Sequence, residues 1–213
     1  MDLLDRAFAA AYDPVLARAE RAGLTGLRRE VLREVGGHVV ELGAGTGANL
    51  AHYPVAVDRL TLCEPTPAMV GRLEAAVARA PVEGRRTDVV IAPGEALPLA
   101  DRAVDAVVST LVLCTVDDLD RTLAEVARVL RPDGALVMIE HVHSDGARAQ
   151  VQRTLEPMWR IAARGCHLTR DPRAALAAAG WDVSEVREVR LPFPGPMRRG
   201  QVGWARPPRA AAA

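Results

Sequence analysis

VVELGAGTGANL, residues 39–50, is the stretch that decides the fold. The apolar residues up to Leu42 can form the end of a buried strand. Gly43, Gly45 and Gly47 then form a turn that no side chain obstructs, and the residues after them read as the start of a helix. A strand, a glycine turn and a helix N-terminus together make a place where a ligand lies against bare backbone.

Around this stretch the hydrophobic pattern alternates between strands and helices. Strands are predicted at His38–Leu42, Arg59–Cys63, Asp88–Ala92, Ala103–Ser109, Gly134–His141, Trp181–Arg190 and Gly200–Arg206. Helices are predicted at Thr46–Ala51, Pro67–Arg79, Asp118–Leu130, 147–164 and Pro172–Ala179. Repeated strand–helix units with apolar strands indicate an α/β fold with a mostly parallel sheet that is covered on both faces.

The N-terminal residues 3–34 read as helix, which Pro14 breaks into two pieces. We expect residues 1–35 to form a helical lid and residues 36–213 to form the main domain. No internal repeat or long linker separates the two, so the chain is predicted to be one compact domain overall.

The composition excludes several classes of function. The chain has 213 residues with 27 basic and 27 acidic side chains, so its formal net charge of +0 gives no electrostatic footprint for nucleic acid or anionic membrane. All the basic residues are arginine, which together with many alanines indicates a GC-rich bacterial genome. No stretch approaches the roughly 20 apolar residues of a membrane span, and we expect a soluble protein.

The three cysteines are odd in number and far apart in the sequence. They form neither a zinc pattern nor a disulfide framework, so the sequence predicts no metal site and a reducing, cytoplasmic location. Cys63 and Cys114 fall at predicted strand ends and are interpreted as small apolar core residues.

The glycine spacing helps to identify the ligand. G-A-G-T-G is one residue tighter than the G-x-G-x-x-G of a dinucleotide-binding turn, and Glu41 stands two residues before the first glycine. A pyrophosphate disfavours an acid there, whereas S-adenosylmethionine carries an ammonium group that favours one. Glu64, about 20 residues further on, suits the two ribose hydroxyls of either NAD or S-adenosylmethionine. Glu95, in the loop after the third predicted strand, can form a hydrogen bond with the edge of an adenine ring.

Six segments in order, ELGAGTG, CEPTPAM, APGEALPL, DAVVSTLVLCTVDD, ARVLRPDG and IEHV, resemble a class I S-adenosylmethionine-dependent methyltransferase with a type 11 methyltransferase domain. The resemblance covers roughly residues 38–143. It implies a Rossmann-like fold with a seven-stranded, mostly parallel sheet and helices on both faces. It also implies a cofactor site, with S-adenosyl-L-homocysteine as the product.

The residues that the resemblance assigns to the cofactor lie at the strand ends and on the lid. Those for its methionine part are Tyr12, Glu41, Gly43, Ala44, Gly45, Gly47 and Asn49. Those for the ribose and adenine are Glu64, Pro65, Thr66, Met69, Gly94, Glu95 and Ala96, and Thr110 and Leu111 are expected beneath the reacting sulfonium.

A narrower resemblance reaches into the C-terminal half. GTGANLAHYP, APGE, STLVLCTV and EHV, followed by LEPMW and GCHLTR, are similar to the alkyl-thiol S-methyltransferases of animals, over about residues 38–205. Those relatives carry an N-terminal membrane anchor, and we expect none in this protein. The resemblance implies transfer of a methyl group to a small-molecule thiol by a monomer or homodimer.

Two other functions remain open at this point. The first is an N-, O- or C-methyltransferase acting on a lipid head group, quinone or secondary metabolite. The second is a nicotinamide-dependent oxidoreductase or a nucleotide-binding module, which the glycine spacing and Glu41 disfavour.

The candidate catalytic residue is His141, at the carboxyl end of the fifth predicted strand, where it can deprotonate or orient the substrate. The alternative is that His141 bonds a neighbouring loop and only shapes the pocket. Trp159, His167 and His143 are predicted to bind substrate. The alternatives are core packing for Trp159 and turn capping for His167.

Overall fold

The computed structural model describes residues 14, 16–80 and 84–208. Its strands are β1 (Gly37–Leu42), β2 (Val57–Cys63), β3 (Arg86–Val90), β4 (Val104–Thr110), β5 (Leu130–His141), β6 (Asp182–Arg190) and β7 (Arg199–Arg206). They form one sheet in the order β3-β2-β1-β4-β5-β7-β6. The first five strands are parallel, and β7 runs antiparallel to both β5 and β6. The predicted seven-stranded, mostly parallel sheet is confirmed.

The helices connect the strands close to the predicted positions. They are α1 (Thr25–Leu32), which continues a π-helical segment (Glu20–Leu24), α2 (Pro67–Arg79), α3 (Leu119–Val129), α4 (Gly146–Ala162) and α5 (Pro172–Ala178). Asp118 and Asp171 cap α3 and α5, because each carboxylate accepts a backbone N–H from the first turn. Proline stands at the start of α2 and of α5, where it has no helical hydrogen bond to lose.

The strands bury side chains on both faces of the sheet. In β1, Val39 packs with Leu60 of β2 and Leu32 of α1, whereas the next residue, Val40, packs on the opposite face with Val126 of α3. This alternation follows from the two-residue period of a strand. Helices therefore cover both faces, as the apolar character of the strands predicts.

The predicted helix at Thr46–Ala51 is wrong. Gly43, Gly45 and Gly47 all have positive φ angles, of 52°, 58° and 87°. An α-helix needs φ near −63° at every residue, so the turn cannot pass directly into one. Only a single 3₁₀ turn forms, at Leu50–His52.

The predicted turn at 131–134 lies within a strand. Leu130 of β5 pairs with Val104 of β4, and Ala135 pairs with Ala106, so four residues stand opposite Asp105 alone. The residues predicted as a turn therefore form an irregular four-residue bulge that interrupts the pairing of β5.

The predicted N-terminal lid lies partly outside the described residues, which exclude 1–13 and 15 and therefore the predicted cofactor residue Tyr12. From residue 16 onward this segment packs into the domain. Leu24 and Leu32 are fully buried in the same core as Leu60 of β2. The division at residue 36 stays a prediction. Within the described ranges, no helix combines the length and apolar composition that crossing a bilayer requires.

A close approach between β6 and β7 requires glycine at position 203. Gly203 has φ 140°, and a Cβ there would lie 2.1 Å from the carbonyl oxygen of Glu185. We expect Gly203→Ala to lower the free energy of unfolding by about 2 kcal/mol or more, measured by urea denaturation. Gly71→Ala is the control: it lies within α2, where a Cβ would meet nothing, and should be neutral or stabilise by up to about 1 kcal/mol. Equal effects of the two substitutions would contradict this assignment.

Candidate active site

The glycine turn after β1 is joined to the turn after β2 by one carboxylate. The backbone N–H of Gly45 donates to Oε2 of Glu64 at 2.9 Å, and that of Thr66 donates to Oε1 at 2.8 Å. Ala44 adds a backbone hydrogen bond to the carbonyl of Cys63 at 3.0 Å. Because β1 and β2 are parallel, both turns lie at the same edge of the sheet. The predicted methionine and ribose residues are thus brought together.

The turn requires bare backbone at two of its glycines. A Cβ on Gly43 would lie 2.7 Å from Cγ2 of Val112, and one on Gly47 would lie 2.6 Å from Cδ1 of Leu50. The loop that follows β4 therefore packs directly against the turn. A side chain at position 43 would push this loop away from the turn, whereas one at position 47 would displace Leu50.

Glu41 is buried and held by a polar network. Nδ2 of Asn49 donates to its Oε1 at 2.9 Å, and the Tyr53 hydroxyl donates to its Oε2 at 2.7 Å. Asn49 accepts in turn from the buried guanidinium of Arg28 at 2.8 Å, and Arg28 pairs with Glu20 at 2.9 Å. Burial raises the pKa of Glu41 to about 7, although its hydrogen bonds and Arg28 oppose that rise. The pKa of this carboxyl thus lies well above that of an exposed glutamate.

Arg28 and Tyr53 were not predicted as site residues. An arginine on an N-terminal helix reads as solvated, and only tertiary packing shows that Arg28 is buried. Asn49, which was predicted, also donates to Oγ1 of Thr110 at 3.1 Å, so the network reaches the end of β4.

The predicted adenine residues lie on the turns after β2 and β3. Met69 is buried in the first turn of α2, and its N–H bonds the carbonyl of Thr66, whereas Pro65 is exposed. The carboxylate of Glu95 accepts the backbone N–H of Asp118 at 3.1 Å, which attaches this loop to the start of α3.

The neighbours of Glu95 are placed differently. Ala96 is exposed, and a Cβ on Gly94 would meet the Thr122 side chain of α3 at 3.1 Å. The loop after β3 therefore packs tightly against α3 at Gly94, whereas it is exposed to solvent at Ala96.

A second buried acid, Glu140, shapes the loop after β4. Its Oε1 accepts from the Ser109 hydroxyl and from the backbone N–H groups of Val112 and Leu113, at 2.7, 3.0 and 3.1 Å. Leu111 has a positive φ of 61°, which is unusual for a residue with a side chain. Glu140 therefore stabilises the strained loop at the predicted sulfonium position. The IEHV motif contains this acid, but nothing in the sequence assigned it this role.

Next to Glu140, three side chains form a buried cluster, which we call the Cys–His cluster: Cys114, His141 and Cys166. Nε2 of His141 lies 2.9 Å from Sγ of Cys166, and the two sulfurs lie 3.8 Å apart. The exposed fractions of Cys114, His141 and Cys166 are 1%, 0% and 6%. Hydrogen bonds from Cys114 and His141 lower the pKa of the Cys166 thiol. The interpretation of Cys114 as a mere apolar filler is incomplete, because it contacts a second cysteine 52 residues away.

The two cysteines of this cluster lie on two loops that are hydrogen-bonded to each other, and His141 lies at the end of β5. The backbone N–H of His167 donates to the carbonyl of Cys114 at 2.8 Å. The guanidinium of Arg170 donates to the carbonyls of Leu113 and Val116 at 3.1 and 2.5 Å. The GCHLTR loop is thereby fixed against the loop after β4.

The predicted substrate residues surround the cluster. The His167 ring contacts Glu156 of α4 at 2.9 Å, and burial lowers the pKa of His167. Trp159 is half-buried, with its indole nitrogen inside the protein, and its side chain contributes to lowering the pKa of Cys166. His143 lies just beyond the end of β5, and its backbone N–H donates to the carbonyl of Arg170. His141 itself is fully buried against Cys166, so its role as a base stays a prediction.

The buried carboxyl of Glu41 should make stability depend on pH. Its folded pKa of about 7 lies above its ordinary value of 4.5, so the unfolded chain releases this proton first as the pH rises. The free energy of unfolding therefore loses up to about 3 kcal/mol from this group between pH 4.5 and 7. We expect Glu41→Gln to lack this loss, measured by urea denaturation at pH 5 and pH 8.

The comparison between variant and parent isolates this one group. The lowered pKa values of His38, His52 and His167 act in the opposite direction, but they are common to both proteins. Glu74→Gln, at an exposed position of α2, should follow the parent at both pH values. A constant difference between Glu41→Gln and the parent would show that Glu41 ionises normally.

Comparison with known proteins identifies the family of this chain. A family profile described as a methyltransferase domain matches residues 40–138. Human thiol S-methyltransferase TMT1A is 36% identical over 174 residues, which cover 78% of this chain and 69% of TMT1A. Human thiol S-methyltransferase TMT1B is 39% identical over 178 residues, which cover 81% and 68% respectively.

The fold is shared with solved structures. An S-adenosylmethionine-dependent methyltransferase from Thermotoga maritima superimposes with a TM-score of 0.67 at 18% identity, covering 95% of this chain and 97% of that one. This likeness shows the Rossmann-like class I methyltransferase fold. The identity to the human enzymes shows more: the chain belongs to the same methyltransferase family as the thiol S-methyltransferases TMT1A and TMT1B.

Proposed function

We propose that this chain transfers a methyl group from S-adenosylmethionine to the thiol sulfur of a small molecule. The observation that carries the proposal is the extent of the match to the thiol S-methyltransferases, which covers 81% of the chain in one case. An aligned stretch of this length extends past residue 138, where the match to the family profile ends, and it includes His141 and Cys166. The match therefore includes the acceptor side of the site as well as the cofactor side.

The residues at the strand ends fit the cofactor. The left-handed glycines leave bare backbone for the methionine part, and the buried Glu41 suits its ammonium group. The carboxylate of Glu64, already oriented by two N–H groups, suits the ribose hydroxyls. When bound, S-adenosylmethionine supplies an electrophilic methyl group on a sulfonium.

The acceptor side fits a nucleophile that needs little activation. A thiol with a pKa of about 8.5 is a few per cent ionised at neutral pH and reacts strongly as thiolate. The protein's task is then to orient the sulfur and exclude water, which is worth up to about 7–11 kcal/mol in model reactions. One member of the Cys–His cluster, Cys114, lies on the loop that leads from Thr110 and Leu111, the residues proposed to lie beneath the sulfonium. We place the acceptor sulfur at this cluster.

The cofactor assignment predicts a loss of affinity on changing Glu64. Glu64→Gln replaces one carboxylate oxygen by an amide N–H₂, which cannot accept a hydrogen bond from a hydroxyl or from a backbone N–H. We expect S-adenosylmethionine to bind about 10–100-fold more weakly, because hydrogen bonds to charged groups contribute about 1.5–3 kcal/mol. Isothermal titration calorimetry measures the affinity, with Glu74→Gln as control. Unchanged binding by Glu64→Gln would remove Glu64 from the cofactor site.

The acceptor assignment is tested with a panel of alkyl thiols, sulfide, amines and phenols. Purified protein is incubated with each compound and with S-adenosylmethionine labelled with deuterium in the methyl group, and products are read by mass spectrometry. We expect label only in the thiols and sulfide, because these acceptors react strongly as thiolates.

The panel also tests the alternative function. Amines and phenols need a positioned general base more than thiols do. Turnover confined to an amine, phenol or carbon acceptor would retain the fold and the cofactor site but would replace the thiol assignment by N-, O- or C-methylation.

A further inference from the structure

The Cys–His cluster has a composition that methyl transfer by itself does not require. We propose that Cys114, His141 and Cys166 bind one Zn²⁺ ion and leave its fourth coordination position for the acceptor sulfur. The three ligands form a metal site whatever the acceptor is. The assignment of the fourth position rests on the proposed function.

The spacing of the donor atoms suits a tetrahedral site. The three donor atoms all lie within 4.8 Å of one another, and the two sulfurs are 3.8 Å apart. With Zn–S bonds of about 2.3 Å, two thiolates on one tetrahedral zinc ion lie about 3.8 Å apart. A disulfide would require about 2.05 Å. The cysteines are thus spaced as co-ligands.

The imidazole needs a small movement to join them. Nε2 of His141 is 2.9 Å from Sγ of Cys166, whereas the corresponding edge of a tetrahedral zinc site is about 3.6 Å. The other ring nitrogen, Nδ1, is buried and has no hydrogen-bond partner among the described residues. The ring can therefore move away by the required distance of about 0.7 Å without breaking a second hydrogen bond.

The donor set selects the metal. Two thiolates and one imidazole favour Zn²⁺ over Mg²⁺ or Ca²⁺, which prefer oxygen ligands. Three protein ligands are also typical of catalytic zinc sites, which keep one position open, whereas structural sites have four. Within the described part of the chain, no other group of histidine, cysteine or acidic side chains has this geometry.

The surrounding loops hold the ligands in place without the ion. The hydrogen bonds from His167 and Arg170 fix the GCHLTR loop, which carries Cys166, to the loop that carries Cys114. Cys166, at 6%, is the most exposed of the three ligands. The open coordination position therefore lies on the side of Cys166 and the half-buried Trp159.

Binding at this position activates a thiol without any redox change. The S–H bond of the acceptor breaks, the sulfur electron pair forms the zinc–sulfur bond, and the proton leaves to solvent. The ion remains Zn²⁺ throughout. The acceptor is then a thiolate at neutral pH, fixed in position near the end of β4.

The test measures the metal directly. Full-length protein, reduced and freed of metal, is titrated with Zn²⁺ against a chromophoric chelator. We expect one ion per chain. Cys114→Ser and Cys166→Ser should each weaken binding by more than about a hundredfold, since even the outer-shell partners of a metal ligand contribute 10–100-fold. Cys63→Ser is the matched control, because Cys63 is also a buried free cysteine but lies outside the cluster.

Co²⁺ in place of Zn²⁺ gives a second measurement that needs no variant. Two cysteine ligands in the parent protein produce a thiolate-to-cobalt charge-transfer band, and adding an alkyl thiol should intensify and shift that band. Absence of stoichiometric Zn²⁺ binding by the parent, or an equal loss in Cys63→Ser, overturns the metal site. A band that alkyl thiols leave unchanged overturns the fourth-position assignment.

These outcomes are independent of methyl transfer. Zinc binding with no methylation of any thiol would refute the proposed function and leave the metal site standing. Methylation of thiols by protein that binds no zinc would do the reverse.

Discussion

The site is organised around a carboxylate that water does not reach. Glu41 stands at the buried end of β1, and an unsolvated carboxylate inside a protein costs several kcal/mol unless other groups replace its water. Asn49 and Tyr53 supply that replacement, and Arg28 holds Asn49 in place. One charge thus fixes the glycine turn, the segment that follows it and the N-terminal helix α1 relative to one another. The resulting pKa near 7 leaves Glu41 responsive to a cation placed beside it.

The same device recurs at two other strand ends. Glu64 follows β2 and binds the N–H groups of the two turns beside it, whereas Glu140 near the end of β5 binds those of the loop after β4. Backbone N–H groups that strands and helices leave unpaired need acceptors, and a buried carboxylate satisfies two or three of them at once. The loops that form the site are therefore held by acids at fixed positions in the sheet. Such loops are ordered by the fold before any ligand arrives.

The sequence predicted what depends on local pattern and missed what depends on packing. Strand positions and the bounds of α2, α3 and α5 follow from periodicity and from turn residues, and each was predicted to within a few residues. The helix at Thr46–Ala51 was wrong because the freedom of glycine outweighed the apparent helix start. The contact between Cys114 and Cys166 joins loops 52 residues apart, and no spacing rule connects them. The buried position of Arg28 has the same origin, since its sequence neighbours are those of an ordinary surface helix.

The position of β7 has a consequence for folding during synthesis. β7 follows β6 in the sequence, yet it lies between β5 and β6, and among the described strands it alone joins β6 to the sheet. On the ribosome β6 emerges before β7, which is the strand with which it pairs. The end of β5, which carries His141, likewise waits for its neighbour Gly200. Domains fold as units while synthesis proceeds from the N-terminus, so β6 joins this sheet only after β7 has left the exit tunnel. Until then β5 exposes an open edge, and the end of β5 that carries His141 lacks its neighbouring strand.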